Sequence, residues 1–166
     1  MVAATHGTRS AGNDSDESIK DALQQTLDEA RMVLPGVQAL FGFQLIAVFN
    51  EGFARDLSDA EQLLHLGAIV LVTISIALVM TPAAYHRQVD PRGASASFVR
   101  LASRLISGAM MPLALGLALD LHLVARLVSG SATVGATIAG TALALFLVLW
   151  FAFPQWRAAQ LHRQRG

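Results

Sequence analysis

Apolar residues in this chain gather into four runs, each about the 20 residues that a helix needs to cross a bilayer's hydrocarbon. They cover about residues 34–53, 63–84, 105–124 and 134–153, with short polar stretches between them. Ahead of the first run the pattern becomes periodic. Ile19, Leu23, Leu27, Ala30 and Leu34 recur every three or four positions and form one stripe of a helix. Glu17, Lys20, Asp21, Gln24, Asp28, Glu29 and Arg31 take the other face. Asp14 or Ser15 can cap this helix, and Glu17 adds to an acid-rich first turn that suits the helix dipole. Pro35 and Gly36 stand where the chain would turn into the first span. Residues 1–13 are small, polar and aperiodic, which predicts a disordered tail. The expected fold is therefore all-α. An integral membrane four-helix bundle over 34–156 is preceded by an amphipathic cytoplasmic helix, 14–33, and followed by a basic C-terminal tail, 157–166.

Composition supports the bilayer assignment. Of the 166 residues 54% are hydrophobic and 14% charged, against roughly one quarter charged in soluble domains. Twelve basic and twelve acidic side chains leave no net charge, so no global field recruits nucleic acid, and no nucleic-acid partner is expected. The absence of cysteine excludes disulfides, thiol catalysis and cysteine metal sites. No short apolar core with a cleavage site precedes the first run, so that run is expected to be the insertion signal.

Charge placement orients the spans. Arg9, Lys20 and Arg31 precede the first span, Arg87, Arg92, Arg100 and Arg104 lie between the second and third, and Arg157, Arg163 and Arg165 follow the fourth. Arg55 and Arg126 remain for the other side, so the positive-inside rule puts both termini in the cytoplasm. Tyr85, Trp150 and Trp156 gather on that same side, as interfacial aromatics do. The expected location is a bacterial inner membrane, multi-pass.

The segments "LDEARMVLPGVQALFGFQLIAVF", "MTPAAYHR", "SRLISGAMMPLALGLALDLHLV" and "LWFAFPQWR" resemble a family of small bacterial four-span proteins known as a domain of unknown function. The resemblance runs from about residue 18 to 157. Its most specific pieces are the acidic-Glu-x-Arg turn before Pro-Gly-x-Gln and the Pro-x-x-Tyr-His-Arg ending. It implies an integral membrane protein with this topology and brings no activity, substrate or catalytic residue with it.

Candidate chemistry is sparse. Glu29 and Arg31, with Asp21 and Asp28, form an acidic cytoplasmic face that either docks on Arg87, Arg100 and Arg104 as a gate or subunit contact, or is simply solvated. Arg100 and Arg104 share a helix face and either hold an anion at a pore mouth or anchor the span by snorkelling. His86 can sense cytoplasmic protons or serve, with Tyr85, as an interfacial anchor, and His65 has the same two readings at the opposite end of its span. Gln38 and Gln44 are six apart, about 240° around a helix, so one face cannot present both alike. Each suits either an interhelical hydrogen bond or a pore wall.

The fourth span carries two ladders. Ala132, Ala136, Gly140 and Ala144 suit close helix packing, within or between protomers, and Thr133, Thr137 and Thr141 suit either packing or a hydroxyl-lined conduit. Asp120 lies sixteen residues beyond Arg104, about 24 Å along a helix, and therefore within the outer part of the membrane. There an acid needs a partner or water. His122 and Arg126 share a face and are expected to reach the outer interface as anchors. Pro35, Pro82, Pro112 and Pro154 hint weakly at an old two-helix duplication.

No glycine-rich phosphate loop, His-Glu-x-x-His motif or nucleophile elbow occurs, so no enzyme activity and no cofactor is expected. Two functions fit. One is an oligomeric channel or permease for small ions, its conduit at a symmetry axis and its candidate pathway residues Asp120, Gln38, Gln44, Thr133, Thr137 and Thr141. The other is a non-catalytic partner or assembly protein that binds a membrane-protein partner through the amphipathic helix and the small-residue faces.

Overall fold

The computed structural model describes residues 7–89 and 96–165, helical throughout except for short connections at 49–50, 57–58 and 130–131. The helices are α1 (Gly7–Val48), α2 (Glu51–Asp56), α3 (Asp59–Val89), α4 (Ala96–Ser129), α5 (Ala132–Leu147) and α6 (Phe153–Arg165), the last two joined by a π-helical turn, Val148–Ala152. Four stretches are long and apolar enough to cross a membrane: Arg31–Val48, Asp59–Tyr85, Ser97–Ser129 and Ala132–Leu161. The all-α, four-span architecture expected from the hydropathy pattern is the one found.

Element boundaries differ from the sequence expectation in three places. Helix α1 begins at Gly7, inside the stretch read as a disordered tail, and it runs unbroken through Pro35. Once nucleated, a helix gains a hydrogen bond for each residue added, and one missing donor does not end it. The amphipathic segment and the first span are thus one helix; the side chains of Ile19, Leu23, Leu27 and Ala30 lie outside the described residues. The acidic loop folds its first part into α2, capped by Asn50, whose side chain accepts from the Gly52 N–H at 2.9 Å. The basic tail is helical to Arg165.

Buried positions follow the helix period. On α3, His65, Ala68, Val72, Ser75, Val79 and Pro82 are buried, alternating in steps of three and four, so they lie on one face of the helix. On α4, Ala102, Ala109, Gly116 and Leu123 are buried at intervals of seven.

The chain forms two compact units. In the first, Met1–Gln38 with Ile76–Ala109, the Tyr85 ring stacks on Phe98 with centroids 5.5 Å apart. The second comprises Ala39–Ser75 with Met110–Gly166. Here α4 approaches α3 closely at Gly116: a Cβ there would lie 3.2 Å from the Ala68 carbonyl oxygen and 3.0 Å from Val72 Cγ2. Gly130 ends α4 with φ +69° and donates its N–H to the Arg126 carbonyl at 2.8 Å. Ser131 then caps α5. Gly135 brings α5 against the last turns of α4, where an added Cβ would sit 2.7 Å from the His122 carbonyl oxygen.

Along α5 the small-residue ladder Ala132, Ala136, Gly140 and Ala144 is exposed, as are Thr133, Thr137 and Thr141. Close packing of these ladders inside the protomer, one of the two packings expected, is therefore not what the fold uses. The Thr137 and Thr141 hydroxyls donate to the Thr133 and Thr137 carbonyls of their own helix at 2.9 and 2.8 Å, so they need no neighbour. Phe146 and Trp150 stack across the start of the π turn, centroids 4.8 Å apart.

Candidate functional site

Within the second unit three helices each deliver one polar side chain to a single buried point. Gln44 of α1 and His65 of α3 are 4% and 7% exposed, and the Asp120 side chain of α4 is 19% exposed. Gln44 Nε2 donates to Asp120 Oδ2 at 2.6 Å, and His65 Nδ1 lies 3.2 Å from Asp120 Oδ1. The other imidazole nitrogen, Nε2, lies 3.0 Å from the Gln44 carbonyl oxygen. Phe53 of α2 covers the imidazole with an edge-on ring 5.3 Å away.

Hydrogen-bond geometry limits the protonation patterns this group can hold. A backbone carbonyl only accepts, so the 3.0 Å contact is a hydrogen bond when His65 Nε2 carries the hydrogen. A neutral ring protonated at Nε2 leaves Nδ1 as an acceptor, and an ionised carboxylate is also an acceptor. The 3.2 Å contact between Nδ1 and Oδ1 is therefore a hydrogen bond only if one more proton lies between them. That proton belongs to an imidazolium facing a carboxylate or to a carboxylic acid facing an imidazole. With that proton in place the His65–Asp120 couple is electrically neutral, which lowers the cost of an acid in an apolar span. One group stays unsatisfied: Gln44 Oε1 is buried without a hydrogen-bond partner among the described residues, at a cost of about 1–3 kcal/mol.

A second polar cluster sits toward the helix ends. Ser58 precedes α3, and its N–H and hydroxyl both donate to Glu61 Oε2, at 2.9 and 2.7 Å, half of a capping box. Glu61 Oε1 in turn meets Arg126 Nε at 2.7 Å, and Arg126 Nη1 donates to the Asp56 carbonyl at 3.2 Å. Arg126 thus ties the last turns of α4 to the end of α2 and the start of α3. On α2 the Arg55 guanidinium donates to Asp56 at 2.9 and 3.2 Å and holds that carboxyl below its ordinary value.

Beside the buried couple lies a cavity of about 470 Å³. Leu40, Phe43, Phe53, Leu123, Val124 and Leu127 supply most of its wall, and Gln44, His65 and Asp120 line it as well.

A family model described as "Family of unknown function (DUF6328)" matches residues 13–154. The chain belongs to this family. No curated protein and no solved structure matches it. The resemblance seen in the sequence therefore leads to a family of unknown function.

This DUF6328 chain brings together two of the residues singled out from its sequence, Asp120 and Gln44, and adds His65, read there as a sensor or anchor at the span's end. Gln38 is exposed, so the two glutamines do face differently. Glu29, Arg31, Arg87, Arg100 and Arg104 are exposed; Arg31 pairs with Asp28 at 3.3 Å, and no ion pair among the described residues joins the acidic face of α1 to the arginines of α3 and α4. The side chain of His86 lies outside the described residues. His122 and Arg126 are partly buried, Arg126 in the clamp and His122 against Gly135, so neither is a free anchor. Among the described residues no group of three or more His, Asp and Glu is arranged to hold a metal ion.

Two signals in the DUF6328 sequence could have located what was missed. His65 is ionisable within an apolar run, the same criterion that singled out Asp120. Ser58-x-x-Glu61 is a capping-box pattern that moves the start of α3 outward and so puts His65 two turns inside the helix.

Proposed function

We propose that this protein is a proton-linked permease for small ions and not an enzyme, with His65 and Asp120 carrying its proton. The observation behind this is the 3.2 Å contact between His65 and Asp120, two ionisable groups that meet across two helices inside apolar spans. An ionisable pair at such a depth costs stability that apolar side chains would not, and such groups mark ion and proton paths. Other charged or titratable groups of the same unit close to its polar end are Glu51, Arg55 and Asp56 on α2, Asp59 and Glu61 on α3, and His122 and Arg126 on α4.

A conduit at an interface between copies is supported by the ladder of Ala132, Ala136, Gly140 and Ala144, which α5 leaves exposed. The bias of arginines toward the termini and the connection after α3 supports a bacterial inner-membrane location with cytoplasmic termini, so that α2 and the couple face the other side.

Purified protein in liposomes holding a pH-sensitive dye, with the membrane potential clamped, tests the reading. Wild type should carry protons, and Asp120→Asn and His65→Gln should lose most of that flux. Absence of flux from wild type at every pH and voltage, or equal flux in all three proteins, sinks it. The exposed ladder equally favours an assembly protein that binds a membrane partner; this would show as stoichiometric co-purification without flux.

A further inference from the structure

The cavity beside the couple has a specific chemistry. Its wall is largely apolar and includes two aromatic rings, Phe43 and Phe53. Among the described residues no lysine or arginine lines it, whereas two carboxylates do, Asp120 and Asp56, the latter already engaged by Arg55. Gln44, 4% exposed, lines it too and carries the one buried oxygen left without a partner among the described residues. Apolar walls with a few convergent acceptors select a ligand with an apolar body and a donor head, and a carboxylate with aromatic faces favours a positive head.

We propose that this cavity binds an apolar molecule bearing one protonated amine, whose ammonium takes the place of the proton shared by His65 and Asp120. The inference rests on the proton-couple reading above. The ammonium brings three N–H donors: one answers Asp120, a second answers Gln44 Oε1 after a turn of the amide, and a third faces the lone pair left on His65 Nδ1. The shared proton leaves to water as H⁺, while His65 keeps its Nε2 hydrogen on the Gln44 carbonyl. Charge balances, since the neutral couple becomes a carboxylate, a neutral imidazole and an ammonium. One proton is released for each amine bound, which makes the site an exchanger of organic cation against proton.

The test uses the full chain in lipid nanodiscs and four probes sharing one apolar body: 4-phenylbutylamine, 4-phenylbutanol, trimethyl(4-phenylbutyl)ammonium and 4-phenylbutyrate. Equilibrium dialysis against empty nanodiscs reads binding, and an indicator dye in weak buffer reads proton release. The amine should bind about tenfold or more tighter than the other three. It should release about one proton, as the couple's proton inventory requires. Asp120→Asn should abolish binding. So should Leu127→Trp, which fills the cavity from a half-exposed position without touching the couple, with Val124→Phe as a second cavity-filling variant. Equal binding of the trimethylammonium probe or the alcohol, or amine binding unchanged in both cavity-filling variants, overturns the proposal. Proton flux in liposomes without amine binding overturns the cavity assignment and leaves the permease reading standing. Amine binding without proton release overturns the exchange and the shared proton behind it.

Discussion

Asp120 and Arg126 stand six residues apart on α4, and each pairs with a side chain of α3, yet the two pairs behave as different objects. Asp120 meets His65 among buried groups, and the remaining hydrogen-bond partners of the two are the Gln44 amide and its backbone carbonyl. Arg126 meets Glu61 near the helix ends, where Glu61 already accepts from Ser58 and the arginine also reaches the Asp56 carbonyl. In the deeper pair both imidazole nitrogens face oxygen atoms, a carbonyl and a carboxylate, at 3.0 and 3.2 Å. The outer pair joins three chain ends. Depth, more than the identity of the charged residue, separates a buried polar couple from a mechanical tie.

Breaking the deeper pair should have the largest effect. Asp120→Ala leaves the Gln44 Nε2 donor and His65 Nδ1 without their buried partner and should cost about 3 kcal/mol in denaturation of the detergent-solubilised protein. Replacing both partners, His65→Leu with Asp120→Leu, should recover most of that loss while leaving no proton flux. If the double variant keeps its flux, the couple is not the proton carrier.

Next comes the packing that supports the outer pair. Gly135→Ala drives a methyl group toward the His122 carbonyl and should cost about 1–3 kcal/mol in the same assay. Arg126→Gln should lower the melting temperature less than either, and its deficit should shrink as salt is added, since a partly exposed pair is already screened. A deficit indifferent to salt would place Arg126 in the same class as Asp120.

The smallest effect belongs to Asp56. Its carboxyl is lowered by the Arg55 hydrogen bond, so what it contributes is present above the unfolded carboxyl's range and is lost as pH falls through the folded value. Arg55→Gln should return Asp56 to an ordinary titration, followed by carboxyl ¹³C shifts, with no change in flux.

Much of the fold was legible because hydropathy at this strength leaves few alternatives: four apolar runs became four spanning helices. Boundaries were less so. Pro35 looked like a break, but continuation on both sides carried α1 through it. Of the site, Asp120 and Gln44 stood out as polar groups in apolar runs. Their meeting did not, since they lie 76 positions apart and only the rotation of α1 and α4 about their axes brings them face to face. His65 was placed at an interface because the run was read as starting near residue 63, while the helix begins at Asp59. The threonines of α5 could serve a neighbour or their own backbone; the alternatives differ little in energy, and no pattern in sequence decides between them.

The π turn at Val148–Ala152 has a bearing on how the end of the chain is counted. A single π turn accommodates one residue more than an α-helix would, and one residue is about 100° of rotation. Positions of α6 therefore do not continue the rows of α5: the line through Ala132, Ala136, Gly140 and Ala144 does not extend by fours to Trp156. Taking out one residue between 148 and 152 would bring the two helices back into phase and swing the Trp156 and Arg157 side chains to a new bearing around the axis, with nothing else in the sequence altered.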